Sequence, residues 1–255
     1  MNTEIKSRFN AFRCCVVIPT YNNENTLQKV IDDISYYTEN IIVINDGSTD
    51  GTEGILEQNN HIVSISYLKN KGKGYAIKQA FKKATELGYH YAITIDADGQ
   101  HFASDLPAFI KKLGNYRDAI FVGSRGLEHE NMAASSSFAN KFSNFWLFVE
   151  TGHKLPDTQS GYRLYPLEKM KKIHFWTKRY EFEVEVLVRS LWRGIKVVPV
   201  PVSVYYSPEA ERVSHFRPFR DFFRISILNT FLVPMAIIYG LPSIFIRKLY
   251  SKAKR

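Results

Sequence analysis

Cysteine is almost missing from this sequence. Its 255 residues hold only two, Cys14 and Cys15, whose Cα atoms as chain neighbours lie about 3.8 Å apart, closer than an ordinary disulfide requires. A disulfide scaffold is excluded. No Cys/His cluster stands at zinc-ligand spacing either, so the pair reads as reduced thiols entering a buried strand, in keeping with a reducing compartment. With 14 Gly and 10 Pro among 45% hydrophobic and 23% charged residues, the composition excludes collagen-like and disordered chains. Neither G-x-G-x-x-G nor G-x-x-x-x-G-K-[ST] occurs, which argues against nicotinamide cofactors and phosphate-loop NTPases. The first residues, MNTEIKSRFNAFR, are polar, and the run Cys14 to Ile18 is too short for a secretory signal; the main body is expected on the cytosolic side.

Acid is scarce at one end. Between Arg212 and Arg255 nine basic residues face a single acid, Asp221, so that segment carries +8 of the net +9. The basic balance therefore describes a tail and not a nucleic-acid-binding domain. Inside the tail, Ile225 to Ile246 contains no charge over 22 residues, 15 of them apolar or aromatic. A spanning helix needs about 20 such residues, and the basic flanks suit an anionic membrane surface. Asn229, Thr230, Pro234, Gly240 and Pro242 are expected to interrupt the helix, which favours two short helices lying in the interface; a spanning helix and a buried core helix are the other readings. A body over residues 1–210 and a separable membrane-attachment segment over 211–255 are expected; the oligomeric state is not legible.

Upstream, short β-branched runs alternate with amphipathic segments. Residues 15–18, 41–44, 62–68, 91–95 and 119–123 read as buried strands, and helices are expected over 26–37, after 50, over 73–87 and over 105–113. This alternation implies an α/β fold with a mostly parallel sheet, whose ligands bind beyond the carboxyl ends of the strands. Four such ends are unusual: PTYNNEN (19–25), NDGSTDGT (45–52), KNKGKG (69–74) and DADGQH (96–101).

Asp96, Asp98 and Gln100 fall on one side of an extended chain and offer hard oxygen ligands suited to Mg²⁺ or Mn²⁺ carrying phosphates; a plain Asp-Gly turn is the alternative. Asp46 and Asp50 add a second acidic strand end. Lys69, Lys71 and Lys73 with Gly72 and Gly74 precede a helix amino terminus, where backbone N–H groups and the helix dipole favour an anion such as a nucleotide diphosphate.

Taken in order, VVIPTYNNE, VINDGSTDGT, NKGKGYAIKQAF, DADGQH, VGSR and DTQSGYRLY resemble the inverting nucleotide-sugar transferases of glycosyltransferase family 2, with their GT-A, Rossmann-like fold, over roughly residues 14–206. Within that family the chain is most similar to the dolichyl-phosphate or polyprenyl-phosphate mannose and glucose synthases. The resemblance implies that Pro19, Tyr21, Glu24 and Asp46 hold the nucleoside with Lys73 and Gly74 nearby, and that Asp96, Asp98 and Gln100 handle metal and diphosphate. It further implies that Arg125 faces the acceptor phosphate and that Asp157, Ser160, Gly161 and Arg163 form the acceptor loop. Two departures stand out. Asn22-Asn23-Glu24 moves the acid one place along, and the segment 133–142, where these synthases carry a second arginine, offers only Asn140 and Lys141.

Leaving-group charge on a diphosphate is offset by a divalent ion, a role that falls to Asp98. A hydroxyl acceptor of a glycolipid or glycan would need a general base; Asp157 is the first candidate, with Glu183 and Glu185 behind it or else on an outward helix face. An ionised lipid phosphate would need none. Sugar nucleotidyltransferases expect a Gly-rich loop after the first strand, which PTYNNEN lacks. A non-catalytic membrane scaffold would be marked by loss of the D-x-D, which is intact.

Overall fold

The computed structural model describes residues 2–125, 134–205 and 217–253. Its centre is one seven-stranded sheet ordered β3-β2-β1-β4-β6-β5-β7. β1 (Cys14–Thr20) and β2 (Ile41–Asn45) are buried along their whole length, as expected of strands covered on both faces. Alternate β1 residues serve opposite faces: Cys14, Val16 and Ile18 join one core layer, Cys15 and Val17 the other. Burial raises the pKa of both thiols and leaves them inert. β3 (Val63–Ser66) forms one edge, and β4 (Tyr91–Thr94) pairs parallel to β1. β5 (Ile120–Arg125) pairs parallel to β7 (Val197–Val202), whose prolines 199 and 201 suit an edge strand.

β6 (Arg163–Pro166) lies antiparallel between β4 and β5. Neither β6 nor β7 was expected: RLYP has no β-branched run and becomes a strand by pairing on both sides.

The helices cover both faces. α1 (Asn2–Phe12) seats Ile5 and Phe9, and α2 (Leu27–Ser35) buries Leu27, Val30, Ile31 and Ile34; with α5 (Leu106–Leu113) they close one face. α3 (Thr52–Gln58) is short. The other face is covered by α4 (Lys73–Glu86), α6 (Ala134–Thr151), the single turn α7 (Leu167–Met170) and α8 (Phe182–Trp192).

The tail corrects an expectation. α9 (Pro218–Met235) runs through Pro234, a π-helical turn (Ala236–Gly240) and into α10 (Leu241–Ala253), so the prolines do not split it. The widened turn ends two residues before Pro242, whose ring cannot donate to the helical ladder. Leu228, Leu232 and Ala236 enter the core, a Cβ on Gly240 would collide with the Trp192 indole, and Ser243 Oγ donates to the Trp192 carbonyl at 2.9 Å. The tail thus packs along α6 and α8. By length and composition Arg220–Ser251 could cross a membrane. The boundary drawn at 210/211, and Arg212, Lys254 and Arg255, lie outside the described residues.

Candidate active site

The carboxyl ends of β1, β2 and β4, the start of α4, residues 179–180 and the first two turns of α9 enclose a cleft of about 520 Å³. Of the residues singled out in the sequence, Pro19, Tyr21, Asp46, Lys73, Asp96 and Asp98 line it. The strand ends bring them together because parallel neighbours share their direction and finish at one edge.

Lys73 is the electrostatic centre. Its Nζ lies 2.7 Å from Asp96 Oδ1 and 2.8 Å from Glu183 Oε1. Burial works against its charge, yet the two carboxylates outweigh burial and raise its pKa. Burial likewise opposes the charge on Asp96, and Lys73 overcomes it, so Asp96 stays ionised below the usual range. Asp98 has less help: burial first, then the adjacent Asp96 charge, push it up to about 6 against the weaker pull of the Gln100 N–H and Lys73. Gly161 lies beneath the ion pair, where a Cβ would stand 2.5 Å from Asp96 Oδ2 and 2.8 Å from Lys73 Nζ. Burial lowers His101 to about 4, so it is neutral beside Asp96.

Asp46 serves the loop as well as the cleft. It accepts hydrogen bonds from the N–H groups of Lys71 (2.8 Å) and Gly72 (2.7 Å), tying the lysine-glycine segment to β2. Burial raises its pKa and these two donors hold it back. Gly72 has φ +105° and Lys178 O where a Cβ would go, so this tight approach requires glycine.

Several expected site residues do other work. Glu24 accepts from Gly51 N–H at 2.7 Å, at the start of α3, and Asn23 takes its place on the cleft wall; this is the structural outcome of the one-residue shift in Asn22-Asn23-Glu24. Gly74 gives room for Phe182 of α8. Arg163 is fully buried and donates to the carbonyls of Ser160, Glu183 and Thr158, each at 2.7 Å, so it holds the 157–161 loop from inside and does not reach the cleft surface. Ser160 is buried with its Oγ accepting from Tyr162 N–H. Asn140 is buried and turned to Thr158, while Lys141 is exposed.

Asp157 is not a free base. Arg125 donates to it from Nε (2.5 Å) and from a terminal nitrogen (3.0 Å), and the N–H groups of Gln159 and Ser160 donate at 3.0 and 3.2 Å. Burial would raise its pKa, but the hydrogen bonds from Arg125 outweigh burial and lower it. Glu185 is equally occupied, accepting from Trp176 and Thr177 and pairing with Arg189 at 2.9 Å. Both α8 glutamates point inward, contrary to the outward-face reading.

Sequence reasoning missed Arg179, Tyr180 and the α9 residues Arg217, Arg220, Asp221 and Arg224, all on the cleft wall. The spacing 217, 220, 224 marks one helix face, which was legible; the cleft it faces was not.

The donor set fits a divalent ion. Among the described residues no three His, Cys, Asp or Glu side chains converge, but burial, and then the charge of Asp96, raise the pKa of Asp98, and a cation between the two carboxylates would offset both effects. Such a pair suits an ion that takes its other ligands from phosphate and water. Gln100 is held by its backbone, donating to Asp98 Oδ1 at 3.0 Å and accepting from Tyr205 N–H at 2.8 Å.

Comparison with known proteins agrees with this architecture. The family model described as Glycosyl transferase family 2 matches residues 15–173. A UDP-N-acetylglucosamine–dolichyl-phosphate N-acetylglucosaminyltransferase of Methanococcus voltae is 30% identical over 84% of this chain and 95% of its own length. The polyprenol monophosphomannose synthase of Mycolicibacterium smegmatis is 28% identical over 75% of this chain and 77% of its own. Among solved structures, glucosyl-3-phosphoglycerate synthase from Mycobacterium tuberculosis, in complex with Mn²⁺, UDP-glucose and phosphoglyceric acid, superposes with a TM-score of 0.68 at 19% identity, covering 92% of this chain and 83% of that one. That likeness establishes the fold.

Proposed function

The chain belongs to glycosyl transferase family 2 and has the GT-A fold, and on that premise we propose that it transfers a hexose, with inversion, from a nucleotide-diphosphate sugar to a polyprenyl-type lipid phosphate at the cytosolic face of a membrane. The observation that supports this reading is that, among the described residues, the three carboxylates considered as a base are engaged elsewhere. Asp157 and Glu185 have their oxygens occupied, and Glu183 is held by Lys73. A hydroxyl acceptor needs its proton removed; a phosphate already ionised near neutral pH does not.

Pro19, Tyr21 and Asp46 form the wall assigned to the nucleoside, and the Lys71–Gly72 turn sets its depth. Asp96 and Asp98 are the residues that would hold Mg²⁺ or Mn²⁺. Bound there with the diphosphate, the ion would offset leaving-group charge without a proton donor. Lys73 keeps Asp96 ionised and directed into the cleft, and Gly161 leaves space for that pair.

Membrane attachment rests on the tail. While its inner face packs on the body, Phe223, Phe231, Ile237, Ile238 and Phe245 are exposed, and each such side chain withdrawn from water contributes about 1.5–3 kcal/mol. A helix fastened along the body at Leu228, Ala236 and Ser243 favours lying in the interface over spanning.

The test is incubation of the membrane-bound protein with labelled nucleotide sugars and polyprenyl phosphate, followed by lipid extraction. The expected product is a lipid in which sugar and phosphate are joined by a bond labile to mild acid. Transfer to a glycolipid or glycan hydroxyl, with no glycosyl phosphate formed, would overturn the assignment.

A further inference from the structure

We propose that Arg217, Arg220 and Arg224 bind the phosphate head of the lipid acceptor, and that the apolar ridge continuing along the same helix carries its hydrocarbon. This rests on the lipid-phosphate reading above and names the residues that would recognise that substrate.

The first support is the distribution of charge around the cleft. Lys73 is shared by two carboxylates, Arg125 is joined to Asp157, and Arg163 is spent on three carbonyls. Arg179 donates to Asn70 at 3.2 Å. The arginines of α9 are left: Arg224 stands 3.6 Å from Asp221, which also accepts from Arg217 N–H, while among the described residues Arg220 has no acidic partner. All three line the same cleft as Asp98. An entering anion therefore meets three guanidinium groups on α9, of which Arg220, like Arg179 across the cleft, has no acidic ion-pair partner among the described residues, and a guanidinium fork matches phosphate geometry.

The second support is the register. Residues 220, 224, 227 and 231 follow one another at intervals of four, three and four, so Arg220, Arg224, Ile227 and Phe231 form one ridge. The ridge is basic at the cleft and apolar beyond it. Ile227, Phe231 and, two helical turns further, Ile238 are exposed. From Arg220 to Ile238 the helix rises about 27 Å at about 1.5 Å per residue, enough to follow a hydrocarbon chain of several isoprene units. A sugar nucleotide is polar throughout and has no use for such a ridge; an anionic head on a long apolar chain matches both halves.

The full-length protein in detergent micelles provides the test. Transfer is measured to a long-chain polyprenyl phosphate and to a short, water-soluble prenyl phosphate, and binding of UDP and GDP is measured separately by calorimetry. Arg220→Gln is expected to raise the KM of both acceptors at least about tenfold, as loss of a charge-assisted hydrogen bond implies, with Arg220→Lys intermediate. Nucleotide affinity should stay within about twofold. Phe231→Ser should raise KM for the long acceptor and leave the short one unaffected. Weakened nucleotide binding with unchanged acceptor KM would assign the arginines to the donor diphosphate and overturn the proposal, as would no change in either. If the wild-type protein glycosylates no lipid phosphate, the function itself is wrong; if it does and the arginine variants respond on the donor side, this inference alone falls.

Discussion

Replacing Lys73 by methionine keeps the apolar stem and removes the charge between Asp96 and Glu183. The ammonium lies 2.7 and 2.8 Å from their oxygens, and the three side chains are only 15%, 25% and 12% exposed. Deleting one partner of a buried ion pair costs about 3–5 kcal/mol; the remaining solvent contact places this case near the lower end, at about 3 kcal/mol. For a chain of this size that corresponds to a fall in Tm of about 6–12 °C. The pH dependence follows from Asp96. In the wild type its pKa is lowered, so its stabilisation is present above the ordinary carboxylate value and is lost only as pH falls through the lower folded one, leaving no slope between about pH 5.5 and 8. In the variant burial, the largest influence on Asp96, is opposed only by the weaker pull of His101 and Arg163, so its folded pKa rises, the folded state binds the extra proton and the deficit should shrink on acidification. Thermal and urea unfolding at both ends of that range would measure it. A Tm within about 2 °C of the wild type at the alkaline end, or a gap that does not narrow in acid, would refute the idea that Lys73 holds the site together.

Two other outcomes follow from buried carboxyls. Burial and the Asp96 charge push Asp98 up to about 6, and a carboxylate binds a cation far better when ionised, so Mn²⁺ affinity read by electron paramagnetic resonance should fall as pH drops through that value and level off above it; Asp98→Asn should bind weakly with no such step, and a flat wild-type profile would contradict the assignment. Glu150 is fully buried, burial pushes it up to about 8, and among the described residues neither of its oxygens has a hydrogen-bond partner. Its raised folded pKa means that stability is lost as pH climbs from the unfolded value, about 4.3, toward 8, and Glu150→Leu should stabilise by about 2–4 kcal/mol near neutral pH, with less gain in acid; equal gains at both pH values in urea unfolding would show that packing and not ionisation is responsible.

What could be read in the sequence was what local pattern determines. The runs that became β1, β2 and β4 are apolar and β-branched, so their ends, with Asp46, Asp96 and Asp98, could be placed on one edge before any coordinates. Long-range pairing was hidden. RLYP carries nothing that marks it as β6, yet it lies between two strands and brings Arg163 inside, where the side chain works as a fastener of carbonyls. The charge of Glu183 and Glu185 suggested an outward helix face, but α8 packs against α4, α6 and the tail, and residues two apart lie on nearly opposite sides of a helix, so both carboxylates turn inward, to Lys73 and Arg189. Likewise Pro234 and Pro242 argued for a broken helix from local bonding alone, whereas packing on Trp192 and a π turn hold the tail in one piece.

The tail matters to the chemistry in a way that an anchor alone would not. Three of its surfaces have different duties: Leu228, Leu232 and Ala236 complete the core, Arg217, Arg220 and Arg224 wall the cleft, and Phe223, Ile227 and Phe231 are exposed. Burying each of the two leucines alone contributes about 1.5–3 kcal/mol, a large share of the roughly 5–15 kcal/mol by which a domain is stable. Removing the tail would therefore open the core at Trp192 as well as the cleft. Because the exposed face and the arginine face belong to one continuous helix packed on α8, the proposed seating of that helix on a bilayer would fix the height of the cleft above the surface. On the proposed lipid-phosphate reading, the acceptor head would follow the ridge to the arginines of the cleft wall, and the donor would enter from water.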